Sequence, residues 1–122
     1  MIITRELAQR CVEVVDAGLV SGLGEPVPGQ MCVEAAISYA LGLPHGDDPG
    51  CVSPALRALK ITLNDASWSS PQARAQGLRR LASAQLGSAG RLNELEFARR
   101  VSEMTIRRVV PMSLRAVVAS VD

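Results

Sequence analysis

The stretch QMCVEAAISYALGL, residues 30–43, is broken within its apolar run only by Glu34 and Ser38. A helix made from it is greasy on nearly every side, so it belongs in the interior of a domain. It is too short to span a bilayer, which takes ~20 apolar residues. The rest of the chain must then supply amphipathic helices to cover it. That requirement predicts an all-α fold of five to six helices around a central helix at about residues 30–43.

The flanking sequence has the punctuation such a bundle needs. Thr4 can cap a helix that runs to about Gly18, with Leu7, Cys11, Val14 and Val15 on one face. The segment 21–29, SGLGEPVPG, and the segment 42–51, GLPHGDDPGC, are dense in Gly and Pro and read as loops on either side of the central helix. Ser53-Pro54 and Ser70-Pro71 each place a capping hydroxyl before a proline at the first helical position. The third helix should run to about Asn64 with Leu56, Leu59 and Leu63 inward. The fourth should run to about Leu86 with Ala75, Leu78 and Ala82 inward, and Gly87 is suited to end it.

Asn93 and Glu96 form a capping-box pattern for a fifth helix. Leu95, Phe97, Ala98, Val101 and Ile106 cover a broad face of it. Glu96, Arg99, Arg100, Glu103 and Arg107 gather opposite. Pro111 cannot donate to the preceding turn, so a kink or stop is expected near Val110, followed by a last helix from Met112 to about Ser120.

A chain of 122 residues can bury an ordinary core as one domain, residues 1–122, without metals or disulfides. With a single Phe, Tyr and Trp, that core is aliphatic. The formal net charge of +1 gives no overall bias toward polyanions. The halves differ, however: residues 1–65 carry four basic and eight acidic residues, and residues 66–122 carry nine basic and four acidic. Cys11, Cys32 and Cys51 are odd in number and form no CxxC pair, and the N-terminus lacks a signal-peptide pattern. These features lead us to expect a cytoplasmic protein without membrane association.

Four sets of residues could carry chemistry. Cys32, early in the central helix, could have its thiolate stabilised by free backbone amides, with His45 and Asn64 as base and orienter. The simpler reading is a small core residue, since Cys32 shares a helical strip with Ala36, Tyr39 and Leu43. Glu34 is a carboxylate in an apolar helix and needs a partner. Arg74 or loop amides would make it structural; Asp65 or His45 beside it would make an acid/base pocket. Cys32, His45, Cys51 and Asp47 or Asp48 lack the close ligand pairs of a zinc site, so no metal or cofactor is expected.

Arg99, Arg100, Arg107 and Arg108 form a binding candidate for phosphates or, as part of an interaction surface, for a protein, although Glu96 and Glu103 lie among them at helical spacing. Trp68, between two helices, either plugs the gap over the core with its indole N–H bonded to a carbonyl or anchors a partner.

The run GQMCVEAAISYALGLPHGDDPGCVSPALRALKITLNDASWSSPQARAQGLRRLASAQLGS, residues 29–88, resembles a family of small hypothetical proteins of bacteria and their phages. That family offers no activity to transfer, so no catalytic residue follows from it. The resemblance implies only a bacterial or phage intracellular setting, where small compact proteins often act by binding a host or phage protein, inhibitors of a host system among them. The expected function is accordingly a non-enzymatic protein-interaction module working through a surface of the polar loops and the arginine-bearing helices five and six, while PMSLRAVVASV, residues 111–121, either packs on the core or makes a homodimer contact. A nucleic-acid-binding protein using the basic half and a thiol-dependent enzyme using Cys32 are the alternatives.

Overall fold

A computed structural model describes residues 2–121. It is all-helical: α1 Arg5–Asp16, α2 Val33–Ala40, α3 Pro54–Asp65, α4 Pro71–Ala84, α5 Glu94–Met104 and α6 Val110–Ser120, with a π-helical turn at Thr105–Val109 joining the last two. Among the described residues the one paired extended segment is an isolated antiparallel bridge between Gly24 and Met31. No helix among the described residues is long and apolar enough to cross a membrane.

The expected caps are formed. Thr4 Oγ1 accepts from Leu7 N–H at 3.2 Å, Ser53 Oγ from Leu56 at 3.3 Å, Ser70 Oγ from Ala73 at 2.9 Å and Asn93 Oδ1 from Glu96 at 3.0 Å. Each satisfies an amide that the first helical turn leaves without an intrahelical acceptor.

Contacts divide the chain into two units, one through Leu92 and one from Asn93. In the first, α2 packs against α1, α3 and α4, and α4 also packs against α1 and α3. α2 is interior as expected: Val33 to Ser38 and Ala40 are all buried. It starts later than the expected Gln30, however. Val20 N–H donates to Met31 O and Cys32 N–H to Leu23 O, which holds Met31 and Cys32 extended until the helix begins at Val33. This close approach of two strands of loop needs Gly24, at φ +73°, because a β-carbon there would collide with the Gln30 carbonyl.

α1 contributes Cys11, Val14 and Val15 to the core, and α4 contributes Ala75, Leu78 and Ala82. α3 departs from expectation. Its buried face is Leu56, Lys60 and Asn64, whereas Leu59 and Leu63 are half-buried. Trp68 packs against the core cluster and its Nε1–H donates to Leu63 O at 2.9 Å. The ring lies so close on α4 that a β-carbon at Gly77 would strike it.

In the second unit the helix does not stop before Pro111. Val110 N–H reaches back five residues to Thr105 O, so the turn ahead of the proline is wider than an α-turn. Proline removes one donor and crowds the carbonyl four residues earlier. The widened turn accommodates both, and Pro111 falls at the start of α6, where a missing amide is tolerated.

Candidate functional site

The most unusual chemistry of the first unit lies in its interior. Glu34 on α2, Lys60 on α3 and Gln85, the residue that caps the end of α4, are each at 0% exposure. They converge on one atom. Glu34 Oε1 accepts from Gln85 Nε2–H at 2.9 Å and lies 3.2 Å from Lys60 Nζ, a charge contact without hydrogen-bond alignment. Among the described residues, Glu34 Oε2 and Gln85 Oε1 have no hydrogen-bond partner. Burial pushes the Lys60 amine below its ordinary 10.5, against the pull of Glu34. The cluster therefore fixes three helices to one another through a carboxylate sealed from solvent. The expected partners of Glu34 are engaged elsewhere: Arg74 donates to the carbonyls of Leu19, Asn64 and Ala66, Asp65 accepts from Gly22 N–H, and His45 Nε2 bonds Gly24 O.

Cys32 is the N-cap of α2 rather than a first-turn residue, and its Sγ accepts from Ala35 N–H at 3.4 Å. Burial raises its thiol above the ordinary 9.0 and outweighs the stabilising amides. Asn64, the expected orienter, is taken up by backbone: its Oδ1 accepts from Val33 N–H and its Nδ2 donates to Val20 O. His45 is exposed on its loop. Cys32, His45 and Asn64 thus each serve the backbone, and no hydrogen bond links them to one another among the described residues. No three His, Cys, Asp or Glu side chains converge in a metal-holding group there either.

An open groove of about 970 Å³ runs over the first unit, lined by Ile3, Pro49, Cys51, Leu86, Arg91 and Leu92 among others. Among the described residues its lining includes Cys51, Ser88 and Arg91 but no carboxylate or histidine.

The second unit is the reverse of the first. None of its described residues is buried. Leu95, Ile106, Val110, Leu114, Val117 and Val121 are all exposed, Leu95 at 85% and Ile106 at 68%. The small residues Ala98 and Ser102 continue their line. Steps of four residues would wind a stripe around a regular α-helix by ~40° each. The π-turn at Thr105–Val109 takes up the excess and keeps Val110 and Leu114 beneath Ile106.

Flanking this line, Arg99 binds Glu96 at 2.7 Å and Glu103 at 2.6 Å, and Arg100 binds Glu96 at 3.0 Å. Arg107, Arg108 and Arg115 have no carboxylate within ion-pair distance among the described residues. Of the binding candidates, then, Trp68 is tied into the packing of the first unit, Arg99 and Arg100 are neutralised on their own helix, and Arg107 and Arg108 stand open.

Sequence reasoning missed Lys60 and Gln85. A signal existed in the spacing of Leu56, Lys60 and Asn64, four residues apart on one helical strip that begins with a core leucine. Comparison of the chain with family models, with curated proteins and with solved structures gives no match.

Proposed function

We propose that the protein is a non-enzymatic interaction module that engages another polypeptide through the apolar face of its C-terminal helix. The observation that carries this reading is the exposed line from Leu95 to Val121 on a helix with no buried residue. A contiguous apolar surface rimmed by charge is the mark of a contact site, because leaving it in water forfeits the free energy its burial would release. Its long, narrow shape suits an amphipathic helix as partner, read through residues three and four apart. The three uncompensated arginines favour a partner with acidic flanks.

The competing readings have less support. A thiol-dependent enzyme would need a low, accessible thiol, whereas burial raises the Cys32 thiol. Nucleic-acid binding would draw on the basic half, where Glu96 and Glu103 already neutralise Arg99 and Arg100 and the sole tryptophan is packed against the core.

The test is a photoreactive benzophenone side chain in place of Leu114, with Gln9 on α1 as the control position. The expected result is a light-dependent adduct from position 114 only, mapping to a helical peptide with an apolar stripe. An absence of adducts from position 114, or equal labelling from position 9, would contradict the proposal.

A further inference from the structure

We infer that the polypeptide covering this face is a second copy of the same chain, lying antiparallel; the inference rests on the interaction reading above. The first argument is spacing. The apolar line runs through Leu95, Ala98, Ser102, Ile106, Val110, Leu114, Val117 and Val121, and it reads nearly the same in both directions about Arg108. Turning a second helix end for end sets Leu95 against Val121, Ser102 against Leu114 and Ile106 against Val110. A small residue then meets a large one at Ser102, which lets the two helices interlock, and the centre of the pair is two branched aliphatic side chains.

The second argument is charge. From Glu94 to Met104 the helix carries three glutamates and two arginines, and from Thr105 to Val121 it carries Arg107, Arg108 and Arg115 with no acid. A parallel pair would stack the basic half on its own copy. An antiparallel pair in this register brings Arg115 of one copy near Glu103 of the other, while Arg107 and Arg108 fall at the two-fold axis near their own copies, so charge complementarity acts toward the ends of the pair and not at its centre. The third argument is extent. At ~1.5 Å per residue the helix from Glu94 to Ser120 is ~40 Å long, enough to present the ~800 Å² per partner of a stable interface.

Symmetry agrees with this arrangement. An antiparallel helix pair is related by a two-fold axis, so the same patch serves both copies and the assembly closes as a dimer.

The test uses the full chain in a Cys51→Ser background, with Leu95→Cys and Val121→Cys variants oxidised alone and as a refolded equimolar mixture. The mixture is expected to give a 95–121 disulfide-linked dimer, and Leu95→Cys alone to remain uncrosslinked. Crosslinking of Leu95→Cys to itself would mean a parallel pair and overturn the inference. So would monomeric protein at all concentrations, or a dimer that forms no 95–121 bridge. If the chain is monomeric while the residue at position 114 labels a foreign helix, self-pairing fails and the interaction reading stands. If neither is seen, both fail.

Discussion

The two units invert the usual placement of residues. In the first, a carboxylate, an amine and an amide sit at zero exposure among aliphatic side chains; in the second, leucines, isoleucine and valines face water. Both are costly in isolation, and the difference lies in how each cost is met. In the Glu34–Lys60–Gln85 cluster one charge contact and one hydrogen bond meet at Glu34 Oε1 and offset part of that cost within the chain, while Glu34 Oε2, Gln85 Oε1 and Lys60 Nζ have no hydrogen-bond partner among the described residues. The apolar face has no such compensation within its own helix. Polar groups that find one another inside the chain point to architecture, and an apolar face left in water points to a partner.

The sharpest way to break this contrast is to unbalance the cluster. Lys60→Met leaves Glu34 buried with only Gln85, and should lose ~3–5 kcal/mol of stability in urea titration. Replacing all three residues with Met, Met and Leu should recover that loss or exceed the wild type by ~1–4 kcal/mol, because no charge is then buried. If Lys60→Met alone is neutral, the cluster does not hold the bundle together.

Packing in the first unit gives the next effect. Gly77→Ala pushes a methyl into the Trp68 ring and should cost ~1–3 kcal/mol. Trp68→Leu in the same chain should return part of it, and the urea midpoints of the single and double variants measure the coupling.

A smaller effect is the pH slope. Lys60 is held below 10.5 in the folded chain, so below 10.5 the unfolded chain binds more protons than the folded one. Stability from this group therefore rises with pH through the folded pKa and levels off above 10.5. Cys11 opposes it: burial moves its thiol from 9.0 to about 11, so its contribution is lost as pH rises between those values. Cys32, whose thiol burial also raises, opposes it in the same way, so in a Cys11→Ala, Cys32→Ser background the alkaline rise should be visible in urea midpoints, and adding Lys60→Met should flatten it.

The smallest effect belongs to the second unit. Arg99→Ala removes contacts that are fully in water and should leave stability unchanged, as solvated pairs on one helix usually do. A large loss would mean that this face is covered.

What could be read in the sequence was local. Thr4, Ser53, Ser70 and Asn93 cap helices through atoms three residues away, and Ala75, Leu78 and Ala82 follow one helical period. For Lys60 the strip Leu56–Lys60–Asn64 was the one hint against a hydropathy that places it outside, and Gln85 gave none, since it meets its partner 51 residues away. Pro111 marked an interruption of the α-helix near Val110, but its form, a widened turn with the helix carried on beyond it, is a backbone adjustment that side-chain pattern does not encode. The candidate interface was half legible. Periodicity gives a helix its sidedness, and the apolar face at Leu95 and Ile106 follows from spacing alone. It does not say whether that face is covered by the same chain.

The account is tested most directly by sedimentation equilibrium of the full chain beside the Ile106→Glu, Leu114→Glu double variant, with urea unfolding of both. It predicts a reversible dimer for the wild type and a monomer for the variant, the two unfolding alike once diluted below dissociation. A wild-type monomer, or a dimer that the two glutamates leave intact, would contradict it.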